Sequence, residues 1–111
     1  MRSASGPEFV RRGEDPANAA LLAAMELLGQ RWVLRVIWEL EPGSLGFLEL
    51  RRRMGNCSSS MLSERLQQLT AAGLVVKNDA GTWELTVTGA ALGQALSDVW
   101  DWSESWKRQQ F

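Results

Sequence analysis

Residues 57–73, CSSSMLSERLQQLTAAG, decide the fold. Ser58 is a favourable N-cap residue, because its hydroxyl can accept a hydrogen bond from a free amide of the first turn, and Gly73 is a common helix stop. The stretch therefore predicts one helix of about four turns. One side of this helix is apolar and is expected to join a core. Its members are Leu62, Leu66, Leu69 and Ala72, flanked by Met61.

The opposite side of the same helix is nearly uncharged and has short side chains. Solvated helix faces usually carry several lysines and glutamates, so this composition favours a surface that meets a partner closely. Serine and glutamine can hydrogen-bond base edges, and we expect this face to enter the major groove of DNA. An ordinary polar face is the alternative. The face consists of Ser59, Ser60, Ser63, Glu64, Gln67 and Ala71.

The composition is typical of one soluble domain. The 111 residues leave room for a single modest core, and 45% of them are hydrophobic and 23% charged. No apolar run approaches the roughly 20 residues of a membrane span, and the first residues lack the hydrophobic centre of a signal peptide. We therefore expect a cytoplasmic protein, and the single cysteine agrees with a reducing compartment.

Several kinds of chemistry are excluded by what the chain lacks. It has no histidine, no tyrosine and one thiol, so metal sites of the histidine and cysteine type and histidine-based acid–base catalysis are excluded. A glycine-rich phosphate loop is also missing. We expect no enzyme, no metal and no cofactor.

The charge distribution is uneven, although the net charge is only −1. A pI near 5.4 argues mildly against nucleic acid as a partner. However, basic residues outnumber acidic ones by three between Ser44 and Asn78, whereas Asp79 to Trp106 holds five acidic residues and no basic one. A basic half and an acidic half are consistent with one face for DNA and another for a different contact.

Two helices are predicted upstream, after a flexible arm over residues 1–15. Within the arm, residues 6–9 resemble vector-derived sequence, and the Arg11–Arg12 pair is interpreted as solvated, with DNA contact as the alternative. A single folded domain is expected over residues 16–111, beginning with a helix from Pro16 to Leu28. A central buried helix follows from Gln30 to Glu41, in which Arg35 and Glu39 are spaced to pair. Its apolar side comprises Trp32, Val33, Val36, Ile37 and Leu40, widened by Leu34 and Trp38.

A short amphipathic helix is predicted from Phe47 to Met54, after a short extended piece at Leu45. Three arginines crowd its end, where they can interact with the helix dipole or bind DNA phosphates. They are Arg51, Arg52 and Arg53. A tight turn over residues 55–57 then leads into the serine-rich helix, and Cys57 is interpreted as a small buried hydrophobe.

A β-hairpin and a last helix complete the pattern. Residues 74–76 form the first predicted strand, residues 78–81 supply turn chemistry, and residues 83–88 alternate as the return strand. Thr88 or Gly89 is expected to cap a final helix that continues to Lys107. The fold class is thus mainly α with a small β-hairpin: a winged helix-turn-helix with dimerisation helices at both ends.

The last helix has more aromatic surface than one small domain can cover. Trp100 and Trp102 lie about 200° apart on the helix, so at least one needs a neighbour outside the core. We expect this helix and the first one to build a two-fold dimer, with Trp102 at the edge of a monomer as the alternative. The expected interface residues are Leu21, Met25, Leu96, Trp100, Trp102 and Trp106.

With these elements placed, the sequence resembles the HxlR-type winged helix-turn-helix transcription regulators, relatives of the MarR group. The similarity spans residues 17–106 and implies a dimeric DNA-binding regulator whose recognition helix is residues 58–72. The matching segments are LGQRW at 28–32, FLELRR at 47–52, Ser58 with MLSERL at 61–66, AGLV at 72–75, and Asp101-Trp102.

Three departures from that family limit how far its functional properties can be expected of this sequence. Ala19 stands where many members carry a cysteine used by some as a redox sensor. The predicted hairpin loop is short, and its tip holds Asp79 instead of basic residues. Gly46 replaces an arginine that is common before Phe47, which removes one phosphate contact.

The expected function is a dimeric repressor that binds a near-palindromic operator in double-stranded DNA. Contacts with base edges are assigned to Ser59, Ser60, Ser63 and Gln67. Contacts with DNA phosphates are assigned to Arg51, Arg52, Arg53, Arg65 and Lys77. One alternative is a protein-interaction module without DNA affinity. Another is a regulator that binds a small aromatic effector in a tryptophan-rich pocket at the dimer seam. Against that pocket, Trp32, Trp38, Trp83 and Trp100 are interpreted as core.

Overall fold

A computed structural model of the protein describes residues 15–110. The predicted arm, including Arg11 and Arg12, lies outside the described residues except for Asp15. The chain divides into two compact units, Met1–Arg31 and Trp32–Phe111.

The described part of the first unit is one helix, as predicted. It opens with a turn of 3-10 helix at Pro16–Asn18, where the Asp15 carboxylate accepts a hydrogen bond from the amide of Ala17 at 3.0 Å. Helix α1 then spans Ala19–Leu28 and ends where the amide of Gly29 donates to the carbonyl of Met25 at 2.8 Å. None of its residues is buried.

The central helix of the second unit is α2, Val33–Leu40. It begins later than predicted, because Trp32 adopts a left-handed backbone conformation with φ of 79°. Its core side is confirmed: Val33, Val36 and Ile37 are completely buried. The interpretation of Trp38 as core is wrong, since 48% of this side chain is exposed.

Helices α3 (Phe47–Arg53) and α4 (Ser59–Ala71) form the predicted helix-turn-helix. The connection turns through Gly55 and Asn56, both at positive φ. Gly73, at φ of 77°, follows the end of α4 and allows the chain to reverse into the hairpin.

The hairpin consists of antiparallel strands β1, Val75–Lys77, and β2, Trp83–Leu85. Val75 pairs with Leu85 and Lys77 with Trp83. Leu45 adds a bridge to Trp83, with both backbone hydrogen bonds formed at 2.8 and 2.9 Å, which confirms the extended piece before α3.

The C-terminal part differs from the prediction of one helix. It contains two helices, α5 at Val87–Ala95 and α6 at Ser97–Gln110, which meet at Leu96. The return strand ends at Leu85, because Thr86 is the N-cap of α5 in place of the expected Thr88 or Gly89. The Thr86 hydroxyl accepts from the amide of Gly89 and donates to the carbonyl of Gly73.

The core lies between α2, α3, α4 and β1, and it is aliphatic. Its buried hydrophobic residues are Val33, Val36, Ile37, Leu40, Leu50, Met54, Leu62, Leu66, Leu69, Leu74 and Val75. None of the four tryptophans assigned to the core belongs to this set: Trp32, Trp83 and Trp100 are half-buried. In residues 15–110, the helices are all too short or too polar to cross a membrane.

Candidate nucleic-acid interface

Helix α4 presents the serine-rich face to solvent. Ser58 caps the helix, since its hydroxyl accepts a hydrogen bond from the amide of Met61 at 3.3 Å and lies 2.9 Å from the hydroxyl of Ser60. The opposite side is fixed in the core by Leu62 and Leu66, at 0 and 1% exposure. The predicted face is therefore confirmed as exposed in full: Ser59, Ser60, Ser63, Glu64, Gln67 and Ala71. Ala72, expected with the apolar side, is also exposed.

Arg65 lies at the edge of this face, with 14% of its side chain exposed. Its Nη1 donates to the carboxylate of Glu64 at 3.0 Å and to the amide oxygen of Gln68 at 3.2 Å. The guanidinium charge is thus balanced within α4, and a phosphate would have to compete with Glu64.

Arg51 joins the two helices of the motif. Its Nε donates to the backbone carbonyl of Cys57 at 2.6 Å, directly before the N-cap of α4. This bond fixes the turn that sets the position of α4 relative to α3. Cys57 is half-buried, so its interpretation as a buried hydrophobe holds only in part.

Arg52 and Arg53 are both paired with Glu49 on the preceding turn of α3. Arg52 binds its carboxylate through Nε and Nη2 at 3.1 and 2.5 Å, and the Nε of Arg53 lies at 2.9 Å. Hydrogen bonds from Arg52 and then Arg53 lower the pKa of Glu49, and the same pairing raises the pKa of Arg52. Sequence reasoning overlooked Glu49, although its spacing of three and four residues to these arginines is the ordinary signal of helical ion pairs.

Arg35 connects α2 to the end of α3. Its Nε binds Glu39 at 2.8 Å, which confirms the predicted pair, and its Nη2 donates to the backbone carbonyl of Arg53 at 2.6 Å. Glu39 is only 8% exposed, so Arg35 also neutralises the one buried carboxylate in residues 15–110.

The hairpin loop is short and internally bonded. The Asn78 amide donates to Thr82 and Glu84 at 2.7 and 2.9 Å, and its oxygen accepts from the amides of Ala80 and Thr82. Lys77 is exposed, with Nζ 5.8 Å from the centre of the Trp83 ring. This lysine is the cationic side chain of the hairpin strands.

The apolar residues assigned to a dimer interface are largely exposed. In the first unit, Leu21 and Met25 are 49 and 57% exposed. In α6, Trp102 and Trp106 stack with ring centres 5.7 Å apart and remain 59 and 46% exposed. Leu96 and Trp100 are half-buried.

Comparison with known proteins adds the family. A family model described as HxlR-like helix-turn-helix matches residues 27–111. The chain belongs to this family. The "Uncharacterized HTH-type transcriptional regulator YvaP" of Bacillus subtilis (strain 168) is 34% identical over 90 residues, which cover 75% of this chain and 82% of YvaP.

Solved structures agree with the HxlR-like assignment. Quinone-bound YodB from B. subtilis matches with a TM-score of 0.72 and 29% identity, over 78% of this chain and 97% of YodB. A protein described as a possible HxlR family transcriptional factor from Thermoplasma volcanium GSS1 matches with a TM-score of 0.69 and 28% identity, over 85 and 86% of the two chains. The winged helix-turn-helix fold is therefore shown by the family match and by the solved structures.

In this HxlR-like chain, the second unit brings most of the predicted site residues together. Helix α4 carries the four residues assigned to bases, and Arg51 ties α4 to the helix that carries Arg52 and Arg53. Lys77 lies apart from them on the hairpin. The assignment of each residue to a base or a phosphate stays a prediction.

Proposed function

We propose that this HxlR-like regulator binds DNA as a dimer and inserts one α4 into the major groove from each copy. The observation that carries the proposal is the uncovered polar face of α4, opposite a side that is buried in the core. A helix held in this way can approach base edges without losing its packing.

The contacts divide into two classes. Ser59, Ser60, Ser63 and Gln67 reach base edges and set sequence preference. The phosphate contacts supply affinity that falls with salt; they are made by Arg51, Arg52, Arg53, Arg65 and Lys77. Arg51 keeps its bond to Cys57 and can use its remaining N–H groups.

The dimer is proposed to form through α1 and α6, whose exposed Leu21, Met25, Trp102 and Trp106 need cover. Two recognition helices about 34 Å apart would match half-sites one turn apart on a near-palindromic operator. Occupying a promoter would repress transcription. Such a role needs no catalysis and agrees with the cytoplasmic location expected from the sequence.

The decisive experiment is selection of bound duplexes from a random pool, followed by mobility shifts with the selected operator and with bulk DNA. Gln67→Ala should lower the ratio of operator to bulk affinity by roughly tenfold, because a base contact contributes about 1–3 kcal/mol of discrimination. Gln94→Ala, an exposed glutamine on α5, is the matched control and should leave the ratio unchanged.

Arg52→Ala should weaken binding to every sequence and flatten the slope of affinity against salt by about one unit, as expected for one lost phosphate contact. Arg108→Ala, exposed near the end of α6, is the control. Equal losses in the two variants would contradict the assignment of Arg52 to a phosphate.

A protein-binding winged helix without DNA affinity is the second candidate. It is favoured by the ion pairs of Arg52, Arg53 and Arg65, whose charges are already balanced by Glu49 and Glu64. No retention of bulk DNA at about 50 mM salt, where phosphate contacts are strong, would support this candidate over the first.

A small aromatic effector is also part of the proposal. It is supported by the similarity to quinone-bound YodB and by a cavity of about 440 Å³ beside Trp38 and Trp100.

A further inference from the structure

The cavity is a groove between α2 and α6 in the second unit. Its volume of about 440 Å³ lies within the range of small-molecule sites. Most of its wall is apolar, with a few polar groups. It is lined by Leu34, Arg35, Trp38, Trp100, Ser103 and Glu104.

Two indole rings make this groove suitable for a flat aromatic ring. Trp100 is anchored, because its Nε1 donates to the carboxylate of Glu41 at 3.2 Å, just beyond the end of α2. Trp38 leaves 48% of its surface exposed, although it lies on the central core helix. Aromatic rings gain from stacked or edge-to-face contacts with such indoles, beyond the burial of apolar area.

Arg35 supplies a fixed positive group at the wall. Its Nε and Nη2 are bound to Glu39 and to the Arg53 carbonyl, whereas Nη1 makes no hydrogen bond with the described residues. A guanidinium held by two bonds loses little entropy when its remaining N–H groups bind an anion. The Ser103 hydroxyl donates to the carbonyl of Trp100 at 2.6 Å, so its proton is not available to a ligand.

The one acidic group of the wall, Glu104, is exposed on α6 and has no partner fixing it in residues 15–110. It can rotate toward solvent at small cost, whereas Arg35 cannot leave without breaking two hydrogen bonds. Glu39 balances the charge of Arg35, but among the described residues Nη1 remains an unbonded donor at the wall, which therefore favours a ligand with a negative group over one with a positive group.

Arg35 also connects the groove to the DNA-binding motif. Its bond to the Arg53 carbonyl, at 2.6 Å, reaches the last residue of α3, from which the turn leads to α4. A ligand that draws the guanidinium toward the groove weakens this bond and shifts the end of α3. Binding at one site can change affinity at another only through such a difference between states.

We propose that the groove between α2 and α6 binds a planar aromatic compound with one anionic group, and that Arg35 transmits its occupancy to α3. The binding part deepens the effector role within the proposed function by naming the class of ligand. The transmission part rests on the proposed DNA-binding function.

The binding test uses naphthoate, with the uncharged naphthamide and the cationic naphthylmethylammonium as matched ligands, and follows quenching of tryptophan fluorescence. Naphthoate should bind saturably and more tightly than either analogue. Trp38→Leu should weaken it by about tenfold, corresponding to the loss of one aromatic contact. Val87→Ala, at an exposed position of α5 outside the lining, should leave the dissociation constant unchanged.

The transmission test measures affinity for a duplex with and without saturating naphthoate. The wild type should show a changed affinity. Arg35→Lys keeps the positive charge beside buried Glu39, but lysine lacks the planar fork that binds Glu39 and the Arg53 carbonyl together. It should bind naphthoate more weakly and, at naphthoate concentrations that saturate it, lose the effect of naphthoate on DNA affinity.

Three outcomes would overturn the inference: no saturable quenching, equal weakening by Trp38→Leu and Val87→Ala, or tighter binding of the cationic analogue. A naphthoate effect on DNA that survives in Arg35→Lys would remove Arg35 as the link. A protein that binds naphthoate but no DNA would refute the proposed function and leave the groove standing. A protein that binds DNA but not naphthoate would refute the groove as an effector site and leave the proposed DNA binding standing.

Discussion

At position 89, the packing of α5 against the start of β1 leaves room for glycine only. Gly89 is buried, and a Cβ at this position would collide with the backbone carbonyl of Leu74. The Thr86 hydroxyl fixes the same junction through the amide of Gly89 and the carbonyl of Gly73. The obstacle is backbone, so the strand or the helix would have to move.

Gly89→Ala should therefore lower the free energy of unfolding by about 1–3 kcal/mol, the usual cost of overpacking. Urea denaturation measures this loss of stability, which appears as a lower midpoint concentration of urea with an unchanged dependence of the unfolding free energy on urea. Gly43→Ala is the control, because a Cβ there meets nothing within 4 Å. Equal midpoints for Gly89→Ala and the wild type would show that the two backbones separate easily.

Sequence reasoning succeeded at single residues where the interaction is local along the chain. The Ser58 cap and the Arg35–Glu39 pair follow from spacings of three and four residues. The bond from Arg35 to the Arg53 carbonyl spans eighteen positions and depends on how α2 packs against α3, so no local pattern contains it. The exposure of Trp38 is missed for the same reason.

Among the elements, α3 carries two arginines, Arg52 and Arg53, that are ion-paired within the helix. Glu49 accepts hydrogen bonds from Nε and Nη2 of Arg52 and from Nε of Arg53. Because these hydrogen bonds lower the pKa of Glu49, its carboxylate is ionised at neutral pH. The pairs support α3 above the ordinary pKa of glutamate and are lost only when the pH falls through the lowered pKa. Near neutrality a DNA phosphate therefore has to compete with the Glu49 carboxylate for these arginines.

Glu49→Gln should raise affinity for bulk DNA several-fold and steepen its dependence on salt, since phosphates no longer compete with a carboxylate for Arg52 and Arg53. Titration of binding at several salt concentrations measures both quantities. Asp98→Asn removes the same charge from the exposed start of α6 and controls for net charge. If both variants bind equally, the gain is a general electrostatic effect and not a release of Arg52 and Arg53.

Hydrophobic periodicity alone does not predict where the helices begin and end. The recurrence of Leu92, Leu96 and Trp100 continues across the junction of α5 and α6, because all three are half-buried at a spacing of four residues. The break occurs at Leu96, and the Ser97 hydroxyl binds the carbonyl of Gln94 at 2.8 Å. The late start of α2 depends on a left-handed tryptophan, a conformation that sequence patterns assign to glycine or asparagine.

For the whole molecule, the exposed tryptophans of α6 make assembly testable. Trp106→Glu places a charge in the stacked pair with Trp102 and should convert the proposed dimer to a monomer, measured by sedimentation. Affinity for the selected operator should fall with it, while affinity for a single half-site should remain. Val87→Glu, at a position 89% exposed on α5, is the control and should stay dimeric. A dimeric Trp106→Glu would exclude this stack from the interface.

The sequence holds a single thiol, that of Cys57, and the fold places it half-buried at the entrance to α4. A nitroxide attached there would mark each recognition helix once, with no competing position in the chain. In an assembly of two copies, pulsed electron paramagnetic resonance would then report one distance, on the order of 34 Å if the two helices are set for consecutive turns of the duplex. Measuring that distance as naphthoate is added would show directly whether the two copies of α4 move relative to each other.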